Sequence, residues 1–552
     1  MWHFLKNGAK TIFNKTQEDI LSAAFVIASS VVIAKTLSLI RYRLLASYFG
    51  DELKVLDGYF AATTLMDAVF ETFIFGSIAL AFIPVFSKYL EKEKVKQAWH
   101  LASTMITLSF LFFLVFAVIF FFFSNQVALL IAPGLIDKAP ETQAKISRLL
   151  QIMVLSQSLF VISIFVSGVL TSFKRFLVPA LASIFYNIGI IISIIFLSPV
   201  FGIYAAAIGM IFGALLHFLI QVPLMLSLRF RFKFNLNFKN PDVKEVLTLM
   251  WPRSITIGLM RLSDVINVIL ASAAPIGSIV ALNFAQVLRV APTALFAASI
   301  AQAAFVFMSI EANKNKKEEF KGLFIQSLHQ ILFLVLPAAA ILAVLRVPVV
   351  RLIFGAKDLP WDTTVLAART LLAFSIGIAA GAVELLFIRA FHALRDSYTP
   401  VKISVFSTIL NITLALVFIL ILKRSIIYLA IASSSASVLS AALMLFFLDK
   451  KIGGFDRKKL FVPLIKMVAI SLVTALALYI PMKILDQLVF DTTKVVGLTI
   501  LTTIAGTSGL LVYFFLSWIF GIEQLVIFTK FAKRVITYPS RLKPQATSII
   551  ES

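Results

Sequence analysis

The sequence predicts an all-α integral membrane protein with about fourteen transmembrane helices, built as two pseudo-symmetric six-helix lobes plus two C-terminal helices. Three observations predict it. The 552-residue chain is 60% hydrophobic and only 14% charged, against about 45–50% apolar and about 25% charged in soluble domains. Its apolar runs are continuous rather than alternating. Lipid cannot satisfy an open backbone, so only helices or closed barrels can span it, and continuous runs select helices. Finally, the loops repeat their grammar at an offset of about 220 residues.

The runs fall at 21–46, 58–87, 101–132, 149–172, 178–198, 201–227, 246–272, 277–310, 323–345, 364–388, 399–422, 425–448, 460–482 and 495–520. Each reaches the ~20 residues a crossing helix needs. The first follows a polar tail, 1–20, and is long enough to remain as a helix rather than be cleaved as a signal peptide. The second closes on Ala81-Phe82-Ile83-Pro84 before a Lys/Glu-rich loop; the eighth closes on Ala304-Phe305-Val306-Phe307 before another. Phe173-Lys174-Arg175-Phe176 precedes Pro179 between the fourth and fifth runs. Arg395-Asp396-Ser397-Tyr398 precedes Pro400 between the tenth and eleventh. The predicted parts are therefore an N-terminal lobe (21–227), a C-terminal lobe (246–448), an extra helix pair (460–520) and tails at 1–20 and 521–552. The 54 phenylalanines read as lipid-facing bulk.

Lys and Arg concentrate in the tails and in alternate loops, notably Lys88–Lys96, Arg229–Lys244, Lys314–Lys321 and Lys450–Lys459. That asymmetry marks the cytoplasmic side and puts both termini there. It also accounts for the net charge of +23 without nucleic acid, and makes anionic lipids expected partners. With no cysteine, disulfides, thiolate catalysis and Cys-based metal sites are excluded. Walker and HExxH motifs are absent, and no acidic loop suits Mg²⁺–diphosphate chemistry. The chain reads as a transporter without a cofactor, expected to be monomeric, and not as an enzyme.

Charges inside the spans carry the function. Lys35, Arg41, Arg43, Arg253, Arg261, Arg289, Arg369 and Lys466 lie within apolar runs. One such charge at mid-bilayer costs about 2.5–3.5 kcal/mol on insertion scales, so these side chains face the bundle interior or snorkel. Lys466 snorkels from the end of its run. Lys35, Arg41, Arg261 and Arg289 are the best candidates for a cationic, hydrated chamber that receives an anionic group; structural ion pairs are the alternative. The embedded acids are Asp67, Glu71, Asp264 and Glu384. Asp67 and Glu71, four apart, share a helix face, and Asp264 can pair with Arg261 three residues earlier. Asp67, Glu71 and Asp264 are either such pairs or sites where Na⁺ or H⁺ couples to transport.

The stretch Arg389-Ala390-Phe391-His392-Ala393-Leu394-Arg395-Asp396-Ser397-Tyr398-Thr399-Pro400-Val401-Lys402 resembles the junction of the tenth and eleventh helices in the MurJ/MviN family of lipid II flippases. Leu170–Phe176 with Pro179 and Asn187, Ala81–Val85 and Met250-Trp251-Pro252 are similar to other family positions. The resemblance covers the first twelve helices. It implies the multidrug/oligosaccharidyl-lipid/polysaccharide exporter fold, two lobes around an alternating-access cationic cavity, and a groove for the lipid tail along the last two helices. It implies movement of undecaprenyl-diphosphate-linked peptidoglycan precursor to the outer leaflet.

By that resemblance Arg41 matches the second arginine of the first helix, Lys35 stands where the first would be, and Asp57 matches the acid opening the second helix. The family's second-helix arginine pair falls on Phe70-Glu71, so an acid replaces a cation. The eighth-helix arginine falls near Val287, two residues before Arg289. Where some members hold sodium, Asp264 and Asn411 are the counterparts, and Ala415 stands where an acid is expected. The resemblance agrees with the charge pattern. A hydrated diphosphate head needs a wet cationic path, and guanidinium groups suit it through paired charge-assisted hydrogen bonds. The drive would be the membrane potential, about 2.3 kcal/mol per charge per 100 mV, or a coupled ion. The competing readings are a flippase for another polyprenyl-linked glycan, a multidrug/cation antiporter, and a non-transporting scaffold of the same fold.

Overall fold

The computed structural model describes residues 20–75, 81–237, 239–314, 316–492 and 494–529. The predicted tail at 1–20 and most of that at 521–552 lie outside the described residues, as does the side chain of Arg253.

The described residues are helical almost throughout. In order they form α1 (Ile20–Phe49), α2 (Leu53–Phe70), a π-turn (Glu71–Phe75), α3 (Ile83–Glu91), α4 (Val95–Phe122), α5 (Ser124–Ile131), α6 (Pro133–Lys138), α7 (Thr142–Ser172), α8 (Leu177–Phe201), α9 (Tyr204–Leu219), α10 (Val222–Ser227) and α11 (Pro241–Ser272). There follow α12 (Ser278–Pro292), a second π-turn (Thr293–Ala297), α13 (Ala298–Asn313), α14 (Lys317–Val344), α15 (Arg346–Phe354), α16 (Trp361–Ala393), α17 (Tyr398–Leu416), a third π-turn (Val417–Ile421), α18 (Ile427–Ile452), α19 (Arg457–Leu488) and α20 (Val495–Ile519). Eleven helical runs among the described residues are long and apolar enough to cross a membrane. Among the other described helices, α1 with 30 residues and α11 with 32 also exceed the ~20 residues a crossing needs.

The helices outrun the apolar segments that predicted them, because hydrogen bonding continues into polar turns after hydropathy falls. Thus α14 starts at Lys317 and α19 at Arg457, where Asp456 caps the amides of Lys458 and Lys459. The third predicted run, 101–132, needs correction: the spanning helix stops at Phe122, and α5 and α6 follow as short separate helices. The polar Ser124-Asn125-Gln126 mark the break, but the apolar residues on either side outweigh them in hydropathy.

The chain folds as two compact units. The first holds the chain up to Ala285 with Ile353–Thr370 and Thr408–Ala432; the second holds Gln286–Leu352, Leu371–Ser407 and the chain from Ser433. The first has an aromatic core in which Phe82, Phe86, Phe113 and Phe165 are fully buried. The second is centred on Phe324, Phe333 and Tyr513, whose hydroxyl donates to the Phe333 carbonyl at 2.8 Å. Large apolar side chains elsewhere point outward, among them Phe122, Phe196, Val200 and Leu511. Lipid is the solvent for which such a surface is stable.

The internal repeat is visible in the helix ends. After α7 the chain turns through Lys174 (φ 57°), with Lys174 N bonded to Thr171 O and Arg175 N to Leu170 O. After α16 it turns through Arg395 (φ 57°), with Arg395 N bonded to His392 O and Asp396 N to Phe391 O. These are two Schellman ends at the same register of the repeat. Lys94 N to Tyr89 O and Lys316 N to Glu311 O form another matched pair, as do Phe230 N to Met225 O and Gly454 N to Asp449 O. The π-turns opening at Glu71 and Thr293 match in the same way.

In the first unit the turn between α11 and α12 is held from both sides. Lys138 donates to the carbonyls of Ser272, Ala273 and Ala274 at 3.1, 2.7 and 2.6 Å. The buried Asp57 carboxylate accepts from the amides of Gly277 and Val280 at 2.6 and 2.8 Å. A cation on the C-terminal carbonyls and an anion on the N-terminal amides complement both helix dipoles.

Candidate functional site

The first unit contains a polar cavity of about 140 Å³, roomy enough for several water molecules. On α2, Tyr59, Thr63 and Asp67 recur every four residues and present one face to it. Arg41 and Tyr42 enter from α1, Tyr186 from α8 and Asn283 from α12. The walls are rigid. Tyr42 stacks on Phe60 with ring centroids 5.7 Å apart and meets Phe284 and Phe354 edge-on. Tyr186 stacks on Phe160 at 4.9 Å. Gly213 permits that placement, since a Cβ there would stand 2.5 Å from the Tyr186 carbonyl oxygen and 2.9 Å from its ring.

Arg41 and Asp67 both face this cavity. Among the described residues Arg41 has no carboxylate partner, and its buried Nε has no hydrogen-bond partner. Asp67 is surrounded by protein yet open to solvent through the cavity. A guanidinium with an unbonded donor, sharing a polar cavity with three tyrosines and one carboxylate, can take an anionic ligand.

One helical turn beyond Asp67, Glu71 forms an ion pair with Arg261 of α11. Arg261 also donates through Nη1 to Asp264 at 3.0 Å. Both terminal nitrogens of this guanidinium are therefore engaged by carboxylates. The cation expected to stand free in a chamber is neutralised, and the intrahelical pair foreseen as its alternative is present. Of the two acids sharing a face, Glu71 pairs with Arg261 while Asp67 lines the cavity with Arg41.

The remaining candidates are dispersed. Lys35 lies on an exposed stretch of α1 beside Val31, Val32 and Ile33, and does not line the cavity. Asp57, only 2% exposed, does not line it either; its carboxylate is spent on the α12 amides. Arg289 belongs to the second unit, where Nη1 donates to Ser433 at 2.8 Å and the guanidinium lies 4.5 Å over the Phe374 ring. Asn411 donates to Ser263, leaving its buried Oδ1 without a partner, as is that of Asn267 on α11. Ala415 is buried and offers no ligand. Glu384 accepts from Ser440 at 2.8 Å. Lys466 reaches an exposed hydrogen bond to the Phe520 carbonyl at 3.1 Å, as a snorkelling lysine does.

A charge-centred reading of the sequence misses Tyr42, Tyr59, Thr63, Tyr186 and Asn283. The fourfold spacing of Tyr59, Thr63 and Asp67 is the signal that marks them, a polar stripe on an otherwise apolar helix.

A many-helix membrane protein with a charged, wet cavity in an apolar bundle belongs to the transporter class. Solved structures place the fold. It is similar to a multidrug resistance MATE transporter of the MOP superfamily in its inward-facing conformation (TM-score 0.61, 12% identity, 78% of this chain and 98% of that one). It is also similar to a lipid II flippase MurJ in an inward closed conformation (TM-score 0.74, 24% identity, 90% of this chain and 98% of that one). The family model described as lipid II flippase MurJ matches residues 45–496, and the chain belongs to that family. A probable lipid II flippase MurJ of Buchnera aphidicola subsp. Acyrthosiphon pisum is 26% identical over 517 residues, covering 93% of this chain and 99% of the relative. One from Bdellovibrio bacteriovorus is 24% identical over 516 residues, covering 92% and 96%.

Proposed function

We propose that this chain is a flippase that carries lipid II, the undecaprenyl-diphosphate-linked peptidoglycan precursor, from the cytoplasmic to the outer leaflet of a bacterial plasma membrane. It acts as a transporter and not as an enzyme. Family membership supports the substrate. The observation that carries the mechanism is Arg41 facing a polar cavity with its buried Nε unbonded. A diphosphate entering such a site gains charge-assisted hydrogen bonds and loses little to competing water. The charged loops support cytoplasmic termini and attraction to anionic lipids.

Coupling to Na⁺ or H⁺ forms part of the proposal. Asp67, Glu71 and Asp264 are acids partly open to solvent. The orphaned amide oxygen of Asn411 suits a hard cation such as Na⁺. Asp264, already bonded to Arg261, would have to be released before serving as its ligand.

The test is reconstitution into liposomes with labelled lipid II, scoring headgroup translocation with and without a Na⁺ gradient. Translocation by the wild type and its loss in Arg41→Ala support the reading. Translocation indistinguishable from protein-free liposomes overturns it. A polyprenyl diphosphate bearing another glycan, run in parallel, separates lipid II from other lipid-linked glycans.

A further inference from the structure

We infer that Glu71 is a built-in competitor for the substrate's anionic headgroup and sets how strong an anion must be to enter the site. This rests on the flippase reading above and deepens it. Glu71 opens the π-turn that follows α2, and its carboxylate takes Nη2 of Arg261 on α11. Asp264 takes Nη1. Those two nitrogens are the fork through which a guanidinium grips a phosphoryl group. With one cation facing two carboxylates, the trio carries an excess of negative charge that repels an incoming anion. All three side chains remain partly open to solvent, at 42%, 35% and 31% exposed for Arg261, Glu71 and Asp264, so exchange of one anion for another requires no unfolding of a dry core.

The two carboxylates differ in consequence. Asp264 sits on the same helix as Arg261 and travels with it. Glu71 comes from a different helix and is the partner that can separate. A ligand reaching Arg261 displaces Glu71 and must offer more than a single carboxylate does. A diphosphate has two phosphoryl groups and can bind Arg261 with one and a second cation with the other. A monophosphate has only one. Glu71 therefore sets a threshold: it weakens both kinds of lipid by the same factor, and the diphosphate, which starts tighter through its second phosphoryl group, is the one that stays bound at low concentration.

The experiment measures binding of farnesyl diphosphate and farnesyl monophosphate to the purified full chain in nanodiscs, by calorimetry, for wild type, Glu71→Gln and Glu71→Gln/Arg261→Gln. Wild type is expected to prefer the diphosphate. Glu71→Gln should tighten binding of both lipids roughly tenfold, as a released charge-assisted bond implies, and leave their ratio unchanged. The double variant should lose that gain. If Glu71→Gln cannot be recovered folded, Glu71→Met, similar in length and uncharged, carries the same expectation. Affinities left unchanged or weakened by removing the charge overturn the inference and leave the flippase reading standing. Failure of the wild type to bind either lipid overturns both.

Discussion

Asp57 and Lys138 clasp opposite ends of a single turn: the carboxylate holds the amides that begin α12, and the ammonium holds the carbonyls that finish α11. Their environments differ. Asp57 is buried, whereas the Lys138 side chain is exposed. Asp57→Ala strands two buried amides and should cost about 3 kcal/mol. Lys138→Met should cost under about 1 kcal/mol, because water replaces its bonds. Thermal unfolding in detergent, followed by light scattering or intrinsic fluorescence, checks the order. Equal losses would show that the two ends are not held independently.

Arg41 supplies the second expectation. Arg41→Lys keeps the charge and loses the planar fork, so transport should fall at least tenfold. Arg41→Ala should abolish transport, while both variants insert and purify normally. Complementation of a flippase-depleted strain, scored with membrane content by immunoblot, separates the two effects. Full growth with Arg41→Ala would remove this residue from the mechanism.

The loop after α16 titrates in acid. Desolvation raises the Asp396 pKa, but Lys451 at 2.5 Å and the amide and hydroxyl of Thr399 outweigh it and hold the carboxyl at about 2. A carboxylate depressed on folding contributes stability that is present above its unfolded pKa of about 4 and is lost as pH falls through about 2. The difference in melting temperature between wild type and Asp396→Asn should therefore be constant above about pH 5 and shrink towards pH 2. A difference that persists unchanged at pH 2 would rule out the ionised carboxylate as its source.

Lys174 occupies the left-handed region at φ 57° with its side chain exposed, a conformation costing a non-glycine residue about 1 kcal/mol. Lys174→Gly should consequently raise stability by up to about 1 kcal/mol. Gly453→Ala, at φ 83° with open space around it, should lower it by a similar amount. Matched melts of the two variants check the opposite signs.

The helices were legible because lipid imposes a demand that any ~20-residue apolar run either meets or fails. The Arg261–Asp264 pair was legible for a similar reason, since helical spacing alone makes i and i+3 neighbours. The Arg261–Glu71 pair was not. It joins residues far apart in sequence, and only packing of α11 against the π-turn brings them together. The Schellman ends were hidden because Lys174 and Arg395 stand where glycine is the usual sign. Lys35 and Asp57 show the limit of reading charge alone: one stays exposed on α1 and the other satisfies backbone amides, though both are ionisable groups near the first two helices. Tyrosines and threonines carried too little charge to attract notice, yet they build the wall that Arg41 faces.

The π-turns at Glu71–Phe75 and Thr293–Ala297 hold a clue to ancestry. A π-turn is a helix that has absorbed one additional residue without breaking its hydrogen-bonded ladder. Two such insertions arising independently at equivalent places would be a coincidence. Inheritance from a single ancestral half, already carrying the extra residue before the gene was copied and joined to itself, explains both with one event. Glu71 would then be a later arrival on an old irregularity, and the helix distortion should outlast changes in the residues that decorate it.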